Sequence, residues 1–257
     1  MSQKFNVHKN QHVFYIFIIM VMASCISCST RIDGEIHSNG SAGLKLSSIL
    51  LPNISRLLKT LAVNGGSANE IPVLDAGLLN KAIARITGVE TAALRNTAAD
   101  SVDGRIAISS LSIFLGRLSG SLPVENSAKR VPFAVLKQTD YGGNLTVTIN
   151  RDTGRDFLSL ISTELLDYLS ALMAPVATGE VISKTEYLEL VASVYGRAIA
   201  DELSQAKISL SIDFPGPVEN VRGGTYRGSR VEFIIHLLDI LVLDVPLVYE
   251  VFWTPWR

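Results

Sequence analysis

The hydrophobic pattern changes character along the chain. Residues 13–23, VFYIFIIMVMA, form an unbroken apolar run of 11 positions behind a polar stretch whose only full charges are Lys4 and Lys9. Beyond residue 30 the pattern becomes short and periodic. Ala42, Leu44 and Leu46 alternate behind Asn39-Gly40, a favoured two-residue turn, so 31–48 reads as a hairpin. Pro52 suits a first helical turn, and Ile54, Leu57, Leu58 and Leu61 then share one face until Gly65-Gly66. Asp75 caps a second helix carrying Leu78, Leu79, Ala82, Ile83 and Ile86. Segments 89–97 and 102–111 read as strands around an Asp103-Gly104 turn, and 116–128 is rich in Gly, Ser and Pro.

The second half follows similar grammar. Segments 131–138 and 144–150 are strand-like across Gly142-Gly143, and 156–173 is apolar at helical spacing before Pro175 and Gly179. Ser183 and Glu186 frame a capping box, in which each side chain satisfies the other residue's orphan amide. The helix behind it places Leu188, Val191, Tyr195 and Ala198 on one stripe. Segments 207–214, 230–236 and 247–253 read as strands. The expected fold is therefore α+β, with mixed or mainly antiparallel sheets covered by amphipathic helices and two similar ββααββ halves. The expected division is a signal peptide at 1–24, a tether at 25–30, an N-terminal half at 31–115, a linker at 116–130 and a C-terminal half at 131–257.

The tail FIIHLLDILVLDVPLVYEVFW is long enough to raise the question of a membrane span. Asp239, Asp244 and Glu250 interrupt it, and Pro246 breaks it further. Each carboxylate near a bilayer centre costs about 2.5–3.5 kcal/mol on insertion scales, so buried strands are expected instead.

The apolar run at 13–23 is about half the roughly 20 residues that a bilayer span needs, which is signal-peptide length. It ends in Ala23 and Ser24, small residues that let the backbone enter a peptidase site, and Cys25 follows at once. VMASC resembles the lipobox of bacterial lipoproteins, in the relaxed form of spirochaetal ones. That resemblance implies a diacylglycerol on Cys25, or alternatively on Cys28, and cleavage that leaves the lipidated cysteine first. A triacylated cysteine would hold the protein at a membrane, at about 0.8 kcal/mol per buried CH2. Cys25 and Cys28 also match C-x-x-C, but a zinc site needs further ligands, and beyond the leader the histidines are only His37 and His236. No metal or cofactor is expected.

A second resemblance rests on SIDFPGPVENVRGG followed by GSRVEFIIHLLDIL. This succession of strand, Pro-Gly turn, Asn or Gly turn and strand is similar to that of LppM-like bacterial lipoprotein domains. It implies an α/β envelope domain with lipid or cell-surface roles and no catalytic residues.

Composition narrows the function. Hydrophobic residues make up 47% and charged residues 18%, with a net charge of -1 that becomes more negative once Lys4 and Lys9 leave with the leader. Nucleic-acid binding, which wants a basic field, is not expected. No H-E-x-x-H, G-x-S-x-G, G-x-G-x-x-G or P-loop motif occurs. His236 sits between apolar neighbours and reads as a core or edge histidine; paired with Asp239 it would be the base of an envelope hydrolase. Acid pairs such as Asp201 with Glu202 read as the wet face of a helix.

The unusual polar cluster is VRGGTYRGSR. Arg222, Tyr226, Arg227 and Arg230 surround glycines that let backbone approach an anion, and arginine forks match phosphate geometry. It reads either as a grip for lipid headgroups or an anionic glycan, or as a turn with solvated arginines, some pairing Glu219. The helix at 54–63, with Arg56 and Lys59 opposite its leucines, would pack on the sheet or lie on a membrane. The expected function is that of a membrane-anchored envelope lipoprotein, outer- or cell-membrane bound, which binds or helps assemble an envelope protein or lipid. An apolar cavity for an acyl chain would fit the same class.

Overall fold

The computed structural model describes residues 28–63, 74–120, 132–139, 141–153, 175 and 178–255. The expected leader, Cys25 and the expected helix at 156–173 lie outside them. Among the described residues, strands and helices mix as α+β. A seven-stranded sheet runs in the order Val89–Ala98, Ser101–Ile108, Ala42–Leu50, Cys28–Ile36, Lys207–Asp213, Arg230–His236, Thr225–Arg227, and a four-stranded sheet in the order Ala134–Thr139, Gly142–Ile149, Leu247–Trp253, Val218–Arg222.

Strands β1 (Cys28–Ile36) and β2 (Ala42–Leu50) form the expected hairpin, in register from Cys28 opposite Leu50 to Ile36 opposite Ala42. Gly40 takes the positive φ of 82° that the turn requires, and the Asn39 side chain accepts from the Ser41 amide at 3.0 Å. Residues 28–30, expected in a tether, are thus paired strand. Helix α1 (Pro52–Val63) follows, with Ile54 buried. Helix α2 (Ala76–Ile83) is capped by Asp75, whose carboxylate accepts from the Gly77 and Leu78 amides.

Strand β3 (Val89–Ala98) is an edge, a liability for unwanted pairing. The Asn80 side-chain amide on α2 covers it by accepting from Leu94 N–H at 2.7 Å and donating to Leu94 C=O at 2.8 Å. Strand β4 (Ser101–Ile108) contains Asp103 and Gly104, which the sequence reading placed in a turn. Gly104 is there because the backbones of β3 and β4 approach closely: a Cβ would stand 2.2 Å from Ala93 O. Helix α3 (Leu111–Gly120) takes the first positions of the expected linker; residues 121–131 lie outside the described ones.

Strands β5 (Ala134–Thr139) and β6 (Gly142–Ile149) pair antiparallel. Gly142-Gly143 opens β6 instead of forming the turn, because the Trp253 indole lies over Gly143 where a Cβ would otherwise be. Helix α4 (Lys184–Tyr195) carries the expected capping box. The single stripe expected across 188–198 is broken: Gly196, at φ 94°, ends α4 and redirects α5 (Arg197–Gln205). Tyr187 and Val191 are the buried positions of α4, and Ala198 is exposed.

Strand β7 (Lys207–Asp213) pairs parallel with β1, Thr30 opposite Ile208 and Glu35 opposite Asp213. Strands β8 (Val218–Arg222), β9 (Thr225–Arg227) and β10 (Arg230–His236) follow. The seven-stranded sheet therefore takes strands from both sides of residues 116–130, and the sheets do not divide there. In the tail, helix α6 (Leu237–Val242) intervenes where only strands were expected, before β11 (Leu247–Trp253). Leu243, at φ 45°, closes α6, and its carbonyl accepts from Arg151 Nε at 3.0 Å. No helix among the described residues is long and apolar enough to cross a membrane.

Strand alternation gives the large sheet two unlike faces. Leu46, Ile106, Ile208, Ile212, Val231 and Phe233 turn into the core. The other face carries Arg31, Asp33, Glu35, Lys45, Arg105, Asp213, Arg230 and Glu232.

Candidate functional site

The arginine cluster is built by consecutive turns that join the two sheets. Strand β8 ends the four-stranded sheet, Gly223-Gly224 turns the chain, and β9 becomes the edge of the seven-stranded one. Gly223 and Gly228 take φ of 81° and 64°, and a Cβ on Gly224 would meet Glu232 O and the Phe233 ring at 2.6 Å. The glycines are thus accounted for by the path of the backbone.

The four predicted residues share this corner but have different partners. Arg230 is held: Nη1 donates to Asp213 Oδ2 at 2.8 Å and Nη2 to Asp33 Oδ1 at 3.2 Å. Asp33 also accepts from Arg31 Nε at 2.9 Å, and this bond with Arg31 is the main cause holding its carboxyl below the usual range. Arg222 lies 3.9 Å from the Glu250 carboxylate, a long and largely exposed pair. Tyr226 donates its hydroxyl to the Glu219 carbonyl at 3.1 Å. Arg227 is exposed at the edge, and among the described residues no ion pair or hydrogen bond engages its guanidinium. The arginines' acid partners are Asp33, Asp213 and Glu250, not Glu219, whose backbone carbonyl serves Tyr226. Chemically, the corner offers one free guanidinium, one weakly held one and a phenol beside a sheet edge.

The rival constellation is not assembled. His236 is exposed at the end of β10, where it precedes α6 without a side-chain capping bond. Asp239 instead meets Lys184 at 2.5 Å, and this hydrogen bond is the main cause raising the lysine above its ordinary range. No group of three His, Cys, Asp or Glu among the described residues could hold a metal ion. Helix α1 is also engaged within the fold: its first amides are capped by Glu202 of α5, and Lys59 pairs with Asp100 at 2.7 Å.

No family model matches the chain, and no curated protein matches it. Among solved structures, the NMR structure of the folded domain of Mycobacterium tuberculosis LppM is similar at 10% identity, covering 90% of this chain and 91% of that one with a TM-score of 0.39. That is a similarity of overall path, too loose to carry a function.

Proposed function

We propose that the chain is a lipid-anchored envelope protein that works by binding, with Arg222, Tyr226 and Arg227 as its contact for an anionic group on an envelope protein. The leader ending in Ala23-Ser24-Cys25 supports the anchor. The observation that carries the binding surface is the free guanidinium of Arg227 on a sheet edge whose neighbouring arginine, Arg230, is pinned by two aspartates. A pinned arginine stiffens the corner; a free one can form a new bidentate pair without first breaking an old one.

The strand register sets this corner at the end of the sheet opposite Cys28. Arg227 is opposite Arg230, Arg230 opposite Asp213, and Asp213 opposite Glu35. Glu35 is seven residues along β1 from Cys28, about 23 Å at the usual strand rise. A contact facing away from the anchored end favours a protein partner over the headgroups of the protein's own membrane.

Complementation separates binding from hydrolysis. In cells lacking the chain, the His236→Ala protein is expected to restore envelope integrity as well as wild type does. The Arg222→Glu/Arg227→Glu protein, at equal abundance, is expected not to restore it. Loss of function in His236→Ala with the arginine variant fully active would reverse the reading in favour of the hydrolase.

A further inference from the structure

The outer face of the large sheet is divided along its length. On the four central strands β2, β1, β7 and β10, the half beginning at Cys28 displays Ser29, Arg31, Ser47, Ile49, Lys207, Ser209, Ile234 and His236. It contains no acid. The opposite half holds Asp33, Glu35, Asp213 and Glu232 together with Lys45 and Arg230. Two acids border the first half: Asp103 on β4, opposite Ser47, and Asp100, which precedes Ser101 opposite Ile49 and is paired with Lys59. Two large aliphatic side chains are also out of place there: Ile49 is 54% exposed and Ile234 is 56% exposed. They stand on strands three spacings apart, about 14 Å, so neither covers the other. Among the described residues, neither isoleucine joins the hydrophobic core, although the same strands bury their inward residues well.

We propose that this acid-free half, centred on Ile49, Lys207 and Ile234, is the surface by which the domain rests on an anionic lipid bilayer. The inference depends on the anchoring reading above, because only two residues, 26 and 27, separate the anchor cysteine, Cys25, from β1 at Cys28. The three steps from Cys25 to Cys28 span about 10 Å at most, so the Cys28 end of the sheet stays beside the headgroups. Lys207 meets the negative surface potential there, beside an Arg31 that also holds Asp33 with two hydrogen bonds, while isolated aliphatic side chains enter the interfacial layer. The acids lie where repulsion from the bilayer is weakest, and the arginine corner is carried outward with them.

The test uses the full lipidated chain in vesicles of phosphatidylcholine with phosphatidylglycerol, on a Cys28→Ser background. An environment-sensitive fluorophore is placed at Ile234→Cys or at Arg227→Cys, with nitroxide quenchers on the lipid headgroups. The expected result is loss of most emission at 234 and unchanged emission at 227, with quenching at 234 reduced by Lys207→Glu or by high salt. Quenching at 227 alone, or equally at both sites, would overturn the proposed orientation. Bright probes at both sites on a chain whose N-terminal peptide carries the lipid would overturn the surface itself. A chain whose N-terminal peptide carries no lipid would instead bring down the anchoring reading.

Discussion

Trp253→Ala is expected to destabilise the protein by about 3–5 kcal/mol, the range for removing a buried aromatic side chain from a core. Trp253 is the last residue of β11 and only 4% exposed. Its ring lies over Gly143 of β6 and stands 4.9 Å from the ring of Phe214, tilted by 41°. Phe214 directly follows β7 of the large sheet, whereas β11 and β6 belong to the small one. The indole therefore fastens the two sheets as well as filling volume, and alanine would leave a gap that glycine on the opposite strand cannot fill. Trp253→Phe, which keeps a ring against Phe214, should lose less than half as much. Urea unfolding with an unchanged m-value would measure both; a loss below about 1 kcal/mol for alanine would mean the sheets are held elsewhere.

Glu202→Ala is expected to destabilise by about 2–3 kcal/mol, the scale of charge-assisted hydrogen bonds lost from a partly buried site. Pro52 at the first position of α1 brings no amide hydrogen, so Asn53 and Ile54 carry the first orphan donors. Glu202, on α5, accepts from both: Asn53 N at 3.0 and 3.1 Å to its two oxygens, and Ile54 N at 3.0 Å. The Asn53 side chain adds a bond at 2.8 Å. A carboxylate at a helix N-terminus also meets the positive end of the helix dipole. Glu202→Gln keeps one acceptor oxygen and loses the charge, so its loss should fall between wild type and alanine. Amide exchange should accelerate at Asn53 and Ile54 in the alanine variant; protection unchanged there would show that the cap contributes little.

Local signals in the sequence were read well where the physics is local. The bounds of β10 and β11 follow from β-branched and aromatic runs, the β1–β2 hairpin from Asn39-Gly40, and the start of α4 from the Ser183–Glu186 box. Errors came where the deciding partner is distant. Gly104 and Gly142 look like turn residues, but one faces the backbone of β3 and the other begins the strand beneath Trp253, more than a hundred residues away. The parallel pairing of β1 with β7 leaves no mark in either segment. Glu202 resembles a solvated acid on a wet helix face until α1 is placed beside it. At the site, the arginines were visible as a cluster, whereas the aspartates that hold Arg230 arrive from β1 and β7. Only the fold distinguishes the pinned arginine from the free one. His236 read as a core or edge histidine, and its exposure at the end of β10 is decided only by the fold.

A lipid on Cys25 would set which end of the sheet meets a membrane and which end is offered to a partner. Its most direct test is the mass of the N-terminal tryptic peptide of the protein taken from its own membranes. Peptide 25–31 with a diacylglyceryl thioether on Cys25 is the expected species. An unmodified peptide 10–31, still joined to the apolar run, would contradict the anchor.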